Sequence, residues 1–551
     1  MPLSKVVSNS LSLTTLTSSG AGSIQGLTVG RGAGAVASNT AVGASALGAN
    51  TSGSANSAFG QFALFATTTG VDNTGLGRSA MESNTTGTTN TAIGRSALYT
   101  NSTGSSNVAV GMQSLFANTT ATNNTAVGYQ AGYSNTTGAV LAVGYQALYA
   151  NTTGTQNVAV GGPEAGNAVA ALRFNTTGSF NIAVGQGSLG SNTTASANIA
   201  VGYQAAYSNT TGAQNVVIGH RAGYNGTTSG YNVIIGGIDA NGQLTGNSIG
   251  TGTANVAVGA GSMGAGTTGA QSNNTAVGYH SLWSNTGDSN VAMGYNAALS
   301  TSSGSNNVAL GLSALSSNTT GSNSTAVGHQ ALFSSTLYTN TALGYRAGYG
   351  ITTGYDNTLI GENAGFVTNI LTTGTGNICI GTSTRTSSAT STNQINIGYG
   401  VTGQANDNVT LGSYVGKIYN AYTSNATWTQ TSDGRLKTNV QDDSLGLSFI
   451  NRLRPVKFKW KPSNEIDQSL PYYNATNQRN TETVIHGLIA QEVKAALDAE
   501  GVSTFAGWDE GSDGIQSISR EMFISPLIKA IQELTAQVET LKAEVATLKG
   551  N

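Results

Sequence analysis

One phrase keeps returning along this chain and limits what it can fold into. N-[TV]-A-V-G ends on Gly43, Gly60, Gly77, Gly94, Gly111 and Gly128, each 17 residues after the last, and recurs in steps of mostly 16 or 17 through Gly381. The full unit reads N-T-A-V-G-Y-Q-A-L-Y-S-N-T-T-G. That period is too short for helical-hairpin, ankyrin or propeller repeats. It suits one coil of a β-solenoid. The T-A-V-G piece alternates small and branched residues and reads as a short strand. The A-L-Y piece reads as a second strand or as one helical turn. S-N-T-T-G reads as a turn, because Asn and Gly tolerate left-handed backbone and Thr and Asn bond nearby amides. Stacked coils then place equivalent strands in parallel at ~4.8 Å.

Residue size carries the reading further. A coil of two short strands has room inside for Ala or Gly, not for Val, Leu and Tyr as well. Val42, Val110, Val127, Val160 and Val201 are therefore expected to point outward with their Leu and Tyr companions. A row of exposed Val is an aggregation liability, so an obligate oligomer is expected, with a monomeric rod bearing an apolar stripe as the alternative. Between Gly161 and Gly278 the rhythm breaks in three places: 24 residues separate Gly161 from Gly185, 23 separate Gly236 from Gly259, and 19 separate Gly259 from Gly278. Insertions in a solenoid emerge as loops. Glu164 and Asp239 read as isolated acids there, and the repeats contain no paired carboxylates of the kind a glycosidase needs.

The core phrase [NS]-x-A-[VI]-G resembles the head repeats of YadA-like trimeric adhesins over residues 39–412, although those repeats are commonly 14 residues long. The resemblance implies a mostly β, trimeric, left-handed parallel β-roll built from the 17-residue units. Composition excludes other classes. Charged residues are 8% of the chain and the net charge is −2, so no basic field invites nucleic acid. The single cysteine, Cys379, sits in a repeat and reads as structural. Four scattered histidines offer no zinc spacing, so neither metal nor cofactor is expected. No apolar run reaches ~18 residues, which predicts no membrane insertion. The N-terminus lacks the apolar core of a secretory signal, and residues 1–38 read as an attachment segment.

At Thr429–Asn439, TQTSDGRLKTN, the chain changes character and stays charged thereafter. Residues 413–431 read as a neck. Ser432 and Lys437 lie five apart across a strong Asp433-Gly434 turn signal, with Arg435 between them placed to lower the lysine's proton affinity. From spacing alone, a solvated turn is the better account, since Ser and Lys five apart are common by chance. The ordered set S-D-x-R-L-K-x-N, L-x-P-V-x-F-x-W, G-L-I-A-Q-E-V and I-x-E-L resembles the peptidase S74 domain, the intramolecular chaperone of phage tail fibres and tailspikes. The resemblance implies a small α+β chaperone over residues 432–551, with Ser432 as nucleophile and Lys437 as general base. It implies self-cleavage between Thr431 and Ser432, with Asp433 and Arg435 in support; His486, Gln491 and Glu492 fall in a second recurring motif and read as mainly structural, with support to the site as the alternative.

The tail is legible on its own. Ile524, Leu527, Ile531, Leu534, Val538, Leu541, Val545 and Leu548 form an unbroken heptad seam in a helix predicted over 519–549. Its residue types favour two strands, whereas the rod's larger interface favours three, and a homotrimer is expected. Together these readings describe a virion tail fibre made in a host cytoplasm. Its expected partners are a host-surface glycan or protein receptor and phage tail or baseplate proteins. A cellular trimeric adhesin, a purely structural fibre shaft and a polysaccharide-degrading tailspike are the alternatives.

Overall fold

The structure, a computed structural model, describes residues 22–24, 27–162, 169–265, 269–337, 339–422, 429–430, 432–470, 472–477, 481–511 and 513–550. The chain divides into two compact units, Met1–Thr431 and Ser432–Asn551.

The first unit is a β-solenoid. A parallel ladder runs coil by coil from strand Thr40–Val42 to strand Asn408–Ser413. Most strands are three residues long, such as Val108–Val110 and Thr125–Val127, with Ala109 facing Ala126. The middle residue points in and its neighbours point out, so Ala58, Ala92, Ala109 and Ala126 are fully buried. Each strand stops at the repeat glycine. Gly128 has φ +137°, and a Cβ there would lie 2.5 Å from the carbonyl oxygen of Gly144 on the next coil. Stacked backbones at ladder spacing leave no room for a side chain at this corner, which is why glycine recurs.

The A-L-Y piece is neither a second strand nor a helical turn. Gln113 and Leu115 adopt left-handed backbone, φ 58° and 48°, and the chain turns between them. Two successive residues can then face inward. Ala147 and Leu148 are both fully buried, as are Leu47, Leu64, Leu98 and Leu115. The expectation that Leu points outward is thus overturned: a coil of one strand plus turns encloses more space than one of two flat strands. Left-handed backbone at Leu is unfavourable by ~1–2 kcal/mol. Burying the side chain recovers about as much. The turn also stays within the ladder, since the Leu115 N–H donates to the Ala131 carbonyl at 2.9 Å. Val42, Val110, Val127, Val160 and Val201 do point outward and are partly exposed. The aromatic residues after Leu stack along the axis, Tyr99 on Phe116 at 5.1 Å and Phe116 on Tyr133 at 5.0 Å.

Two asparagine ladders tie the coils together. Asn107 Oδ1 accepts the backbone N–H of Asn124 at 3.0 Å and its Nδ2 at 2.9 Å. Asn107 Nδ2 donates to Asn90 Oδ1 at 3.1 Å and to the Ala121 carbonyl at 2.9 Å. In the second row the link runs through the side chains alone: Asn101 Nδ2 donates to Asn84 Oδ1 and to the Gly104 carbonyl, and Asn118 Nδ2 to Asn101 Oδ1. All of these residues are buried, so each amide satisfies backbone groups that water cannot reach. Asn107→Ala is expected to destabilise its coil by about 3 kcal/mol, because it orphans several buried groups at ~1–3 kcal/mol each. Exposed Ser106→Ala should stay within ~0.5 kcal/mol. Denaturant unfolding followed by hydrogen exchange reads the difference, and equal effects would refute the ladder's role.

Both ends of the parallel ladder are closed. Strand Leu27–Gly30 pairs antiparallel with the first coil strand and with Gly22–Ile24. At the other end Lys417–Ala421 pairs antiparallel with Asn408–Ser413, and Thr429–Gln430 adds to it. Such antiparallel additions cover edges that would otherwise template pairing between rods. Residues 1–21 and 25–26 of the expected attachment segment lie outside the described residues.

The interruption after Gly236 is pinned. Asp239 is not isolated: its buried Oδ2 meets His280 Nε2 at 2.6 Å, and Oδ1 accepts the N–H groups of Asn241 and Gln243. Burial pushes its carboxyl up, but the His280 bond and the two backbone N–H groups outweigh this and hold it below the ordinary value. A depressed folded-state value means the contribution is complete above the unfolded value of ~3.9 and is lost as pH falls through the folded one. Protection of the 236–249 segment from hydrogen exchange is therefore expected to fall in acid, below about pH 4. In Asp239→Asn that acid step should vanish; its persistence would place the titration elsewhere. Glu164 lies outside the described residues. Cys379 is buried in its strand, where burial pushes the thiol up to about 12.

Among its described residues the second unit has three α-helices, α1 (Leu447–Arg452), α2 (Ala490–Ala499) and α3 (Ile524–Lys549). Two small antiparallel pairs accompany them, Val456–Phe458 with Ile485–Gly487 and Trp508–Glu510 with Gln516–Ile518. Leu445, Phe449, Val493, Ala496, Leu497 and Phe523 make the core. Glu533 of α3 accepts the N–H of Leu447 at 2.7 Å and so caps α1, whose own cap residue, Gly446, has no side chain to do it. The distal seam of α3 is bare in one chain: Leu541 is 58% and Leu548 76% exposed.

Candidate active site

The second unit opens on a tight turn. Asp433 has extended backbone and caps a 3₁₀ turn, Gly434–Leu436, by accepting the Arg435 N–H at 2.9 Å. The Leu436 N–H donates to the Asp433 carbonyl at 3.0 Å and the Lys437 N–H to the Gly434 carbonyl at 3.1 Å. This reversal brings the side chains before and after it together. Lys437 Nζ donates to Ser432 Oγ at 2.7 Å. Both residues are exposed in the single chain. With the amine unprotonated, the same contact runs the other way: the hydroxyl donates and the amine is placed to take its proton.

Arg435 grips Asp433. Arg435 Nε lies 3.1 Å from both carboxylate oxygens of Asp433, and Nη2 lies 2.6 Å from Oδ2. The Arg435 guanidinium, then its backbone N–H, holds the Asp433 carboxyl below its usual range, and Asp433 raises Arg435 in turn.

The other three residues implied by the resemblance sit elsewhere in the unit. His486 is exposed on Ile485–Gly487, across from Lys457. Glu492, in the first turn of α2, pairs with Arg454, Nε to Oε2 at 3.1 Å. Gln491 lines a cavity of about 800 Å³ with Trp460, Leu470, Tyr472 and Arg520. Among the described residues, no hydrogen bond or ion pair links His486, Gln491 or Glu492 to Ser432 or Lys437. Arg454 lies within L-x-P-V-x-F-x-W, yet nothing in the sequence marks a partner 38 positions downstream. Thr431, expected on the other side of the cut, lies outside the described residues. Among the described residues no group of His, Cys, Asp and Glu is placed to hold a metal ion, and no helix is long and apolar enough to cross a membrane.

Residues 432–502 match the family model of the peptidase S74 domain, described as the chaperone of endosialidase. The match begins at Ser432, the first residue of the second unit. No curated protein and no solved structure matches the chain. A β-solenoid that ends in a chaperone-of-endosialidase domain points to a tailspike- or fibre-type protein with a C-terminal chaperone.

Proposed function

We propose that this chain is a phage tail fibre whose C-terminal unit assembles three copies, guides the rod's folding and then releases itself by cutting before Ser432. One observation carries the reading: Lys437 Nζ lies 2.7 Å from Ser432 Oγ at the boundary between the two units. In the cut, Lys437 takes the proton of Ser432 Oγ, and the oxygen attacks the carbonyl carbon of residue 431. The C–N bond breaks, and the Ser432 nitrogen leaves as an amine carrying that proton. The upstream chain is left as an ester on Oγ. Water cleaves the ester, giving a carboxylate at residue 431 and restoring the hydroxyl.

Near-identical coils can pair out of register, and a ladder of non-local contacts forms slowly with its edges exposed. A trimerising unit at one end sets stoichiometry and alignment before the coils close. The third strand position supports a trimer: Val42, Phe59, Leu76, Ile93, Val110 and Val127 form an outward apolar row in consecutive coils, with Leu76 48% exposed in the single chain. Three chains bury such rows against each other. The finished rod presents its remaining surface to a host-surface glycan or protein receptor, and the N-terminal segment joins the tail or baseplate.

The test is electrophoresis of assembled full-length protein under denaturing conditions, with N-terminal sequencing of the small fragment. A new terminus at Ser432 is the expected result. An uncut chain in assembled particles, or a cut elsewhere, would overturn the reading.

A further inference from the structure

The self-cleavage reading makes Lys437 work as a free amine, and the turn holds a carboxylate four residues away. An unshielded Asp433 would attract Lys437 in its charged form, drawing it from Ser432 and opposing loss of its proton. The geometry prevents this. Three contacts from Arg435 Nε and Nη2 occupy both oxygens of Asp433, and Oδ1 also accepts the Arg435 N–H at 2.9 Å. Lys437 is left with Ser432 as its partner.

We infer that Asp433 and Arg435 act as one positioning unit, in which Asp433 caps the turn that brings Lys437 to Ser432 and Arg435 screens Asp433's charge from the base. Neither residue touches the reacting atoms. Removing the screen and removing the charge should therefore have opposite signatures.

The test measures the first-order cleavage rate of the full-length protein against pH, at low and high salt. Arg435→Ala is expected to move the profile upward by about half to one pH unit and to slow cleavage near neutrality up to about tenfold, less so in high salt. Asp433→Asn keeps a capping oxygen but leaves Arg435 unpaired, and should move the profile downward. The double variant should lie close to wild type, and Arg435→Lys, which keeps the cation, should restore most of the profile should Arg435→Ala assemble poorly. A uniform slowing by Arg435→Ala with no shift in pH dependence would reduce the residue to a structural one and overturn the inference. Wild-type protein that never cuts would overturn the cleavage reading itself and the inference with it. Normal cutting with superimposable profiles would overturn the inference alone.

Discussion

Ser432→Ala is expected to leave only the full-length chain, with no fragment spanning Ser432–Asn551 however long the protein is incubated. On the proposed reading the Ser432 hydroxyl is the nucleophile, and alanine supplies no substitute. Lys437→Ala should reach nearly the same end for a different reason. The nucleophile survives, but its proton has no acceptor at 2.7 Å. General-base assistance is worth about 10²–10⁴-fold, so at most slow residual cutting is expected, rising with pH. Lys437→Arg is the sharper control. It keeps positive charge and length, yet a guanidinium cannot give up its proton in this pH range. Cleavage in Lys437→Arg at the wild-type rate would remove the base role. Assembly should be intact in all three, because the dyad is exposed and lies outside the core of the second unit. The uncut Ser432→Ala rod also tests why the chaperone leaves. A rod still joined to its folding unit should refold after mild denaturation more readily than the cut product, whose persistence is then kinetic.

Leu534→Asp with Leu541→Asp is expected to abolish trimer assembly. These two seam residues are 49% and 58% exposed in one chain, so the fold of the second unit does not depend on them. Each Leu is worth ~1.5–3 kcal/mol when buried, and three chains each contribute two, so the assembled seam loses on the order of 10 kcal/mol before charge repulsion is added. The outward Val, Phe and Leu row of the solenoid then has no aligned partner, and the chain should appear as monomer or aggregate on size-exclusion chromatography with light scattering. Glu539→Gln, off the seam, should leave assembly unchanged. A trimer that survives the seam substitutions would place the organising contact in the rod. A folded, soluble monomer would favour the alternative of a single-chain solenoid with an apolar stripe.

The comparison between sequence and fold is instructive residue by residue. The alternation Val108-Ala109-Val110 was legible because a strand reverses its side chains with every residue, and a ladder repeats that choice in every coil. Leu115 was misread because a coil of two flat strands has room inside only for Ala or Gly, and the real coil is not built that way. At Gln113 and Leu115 the backbone is left-handed, and such residues obey neither the strand nor the helix period. The Asn of S-N-T-T-G read as turn chemistry and also proved to bond from coil to coil, as Asn151 does to Asn135. Asp239 and His280 are 41 positions apart, so only the stacking of coils reveals them as a pair. At the candidate site, Ser432 and Lys437 were readable from the ordered motifs, and the turn between them from Asp433-Gly434. The engagement of Arg435 with Asp433 was not, since spacing alone does not name its partner.

By itself, then, the sequence determined the period, the inward alanines, the glycine corners, the border at Ser432 and the heptad seam. All are local or periodic, and elementary backbone geometry translates them directly. The tertiary structure alone decided that Leu lies inside, that the ladder is capped at both ends, that Asp239 is held by His280, and that Glu492 pairs with Arg454. Each of these depends on which distant residues become neighbours once coils stack or helices pack, and no periodicity encodes that.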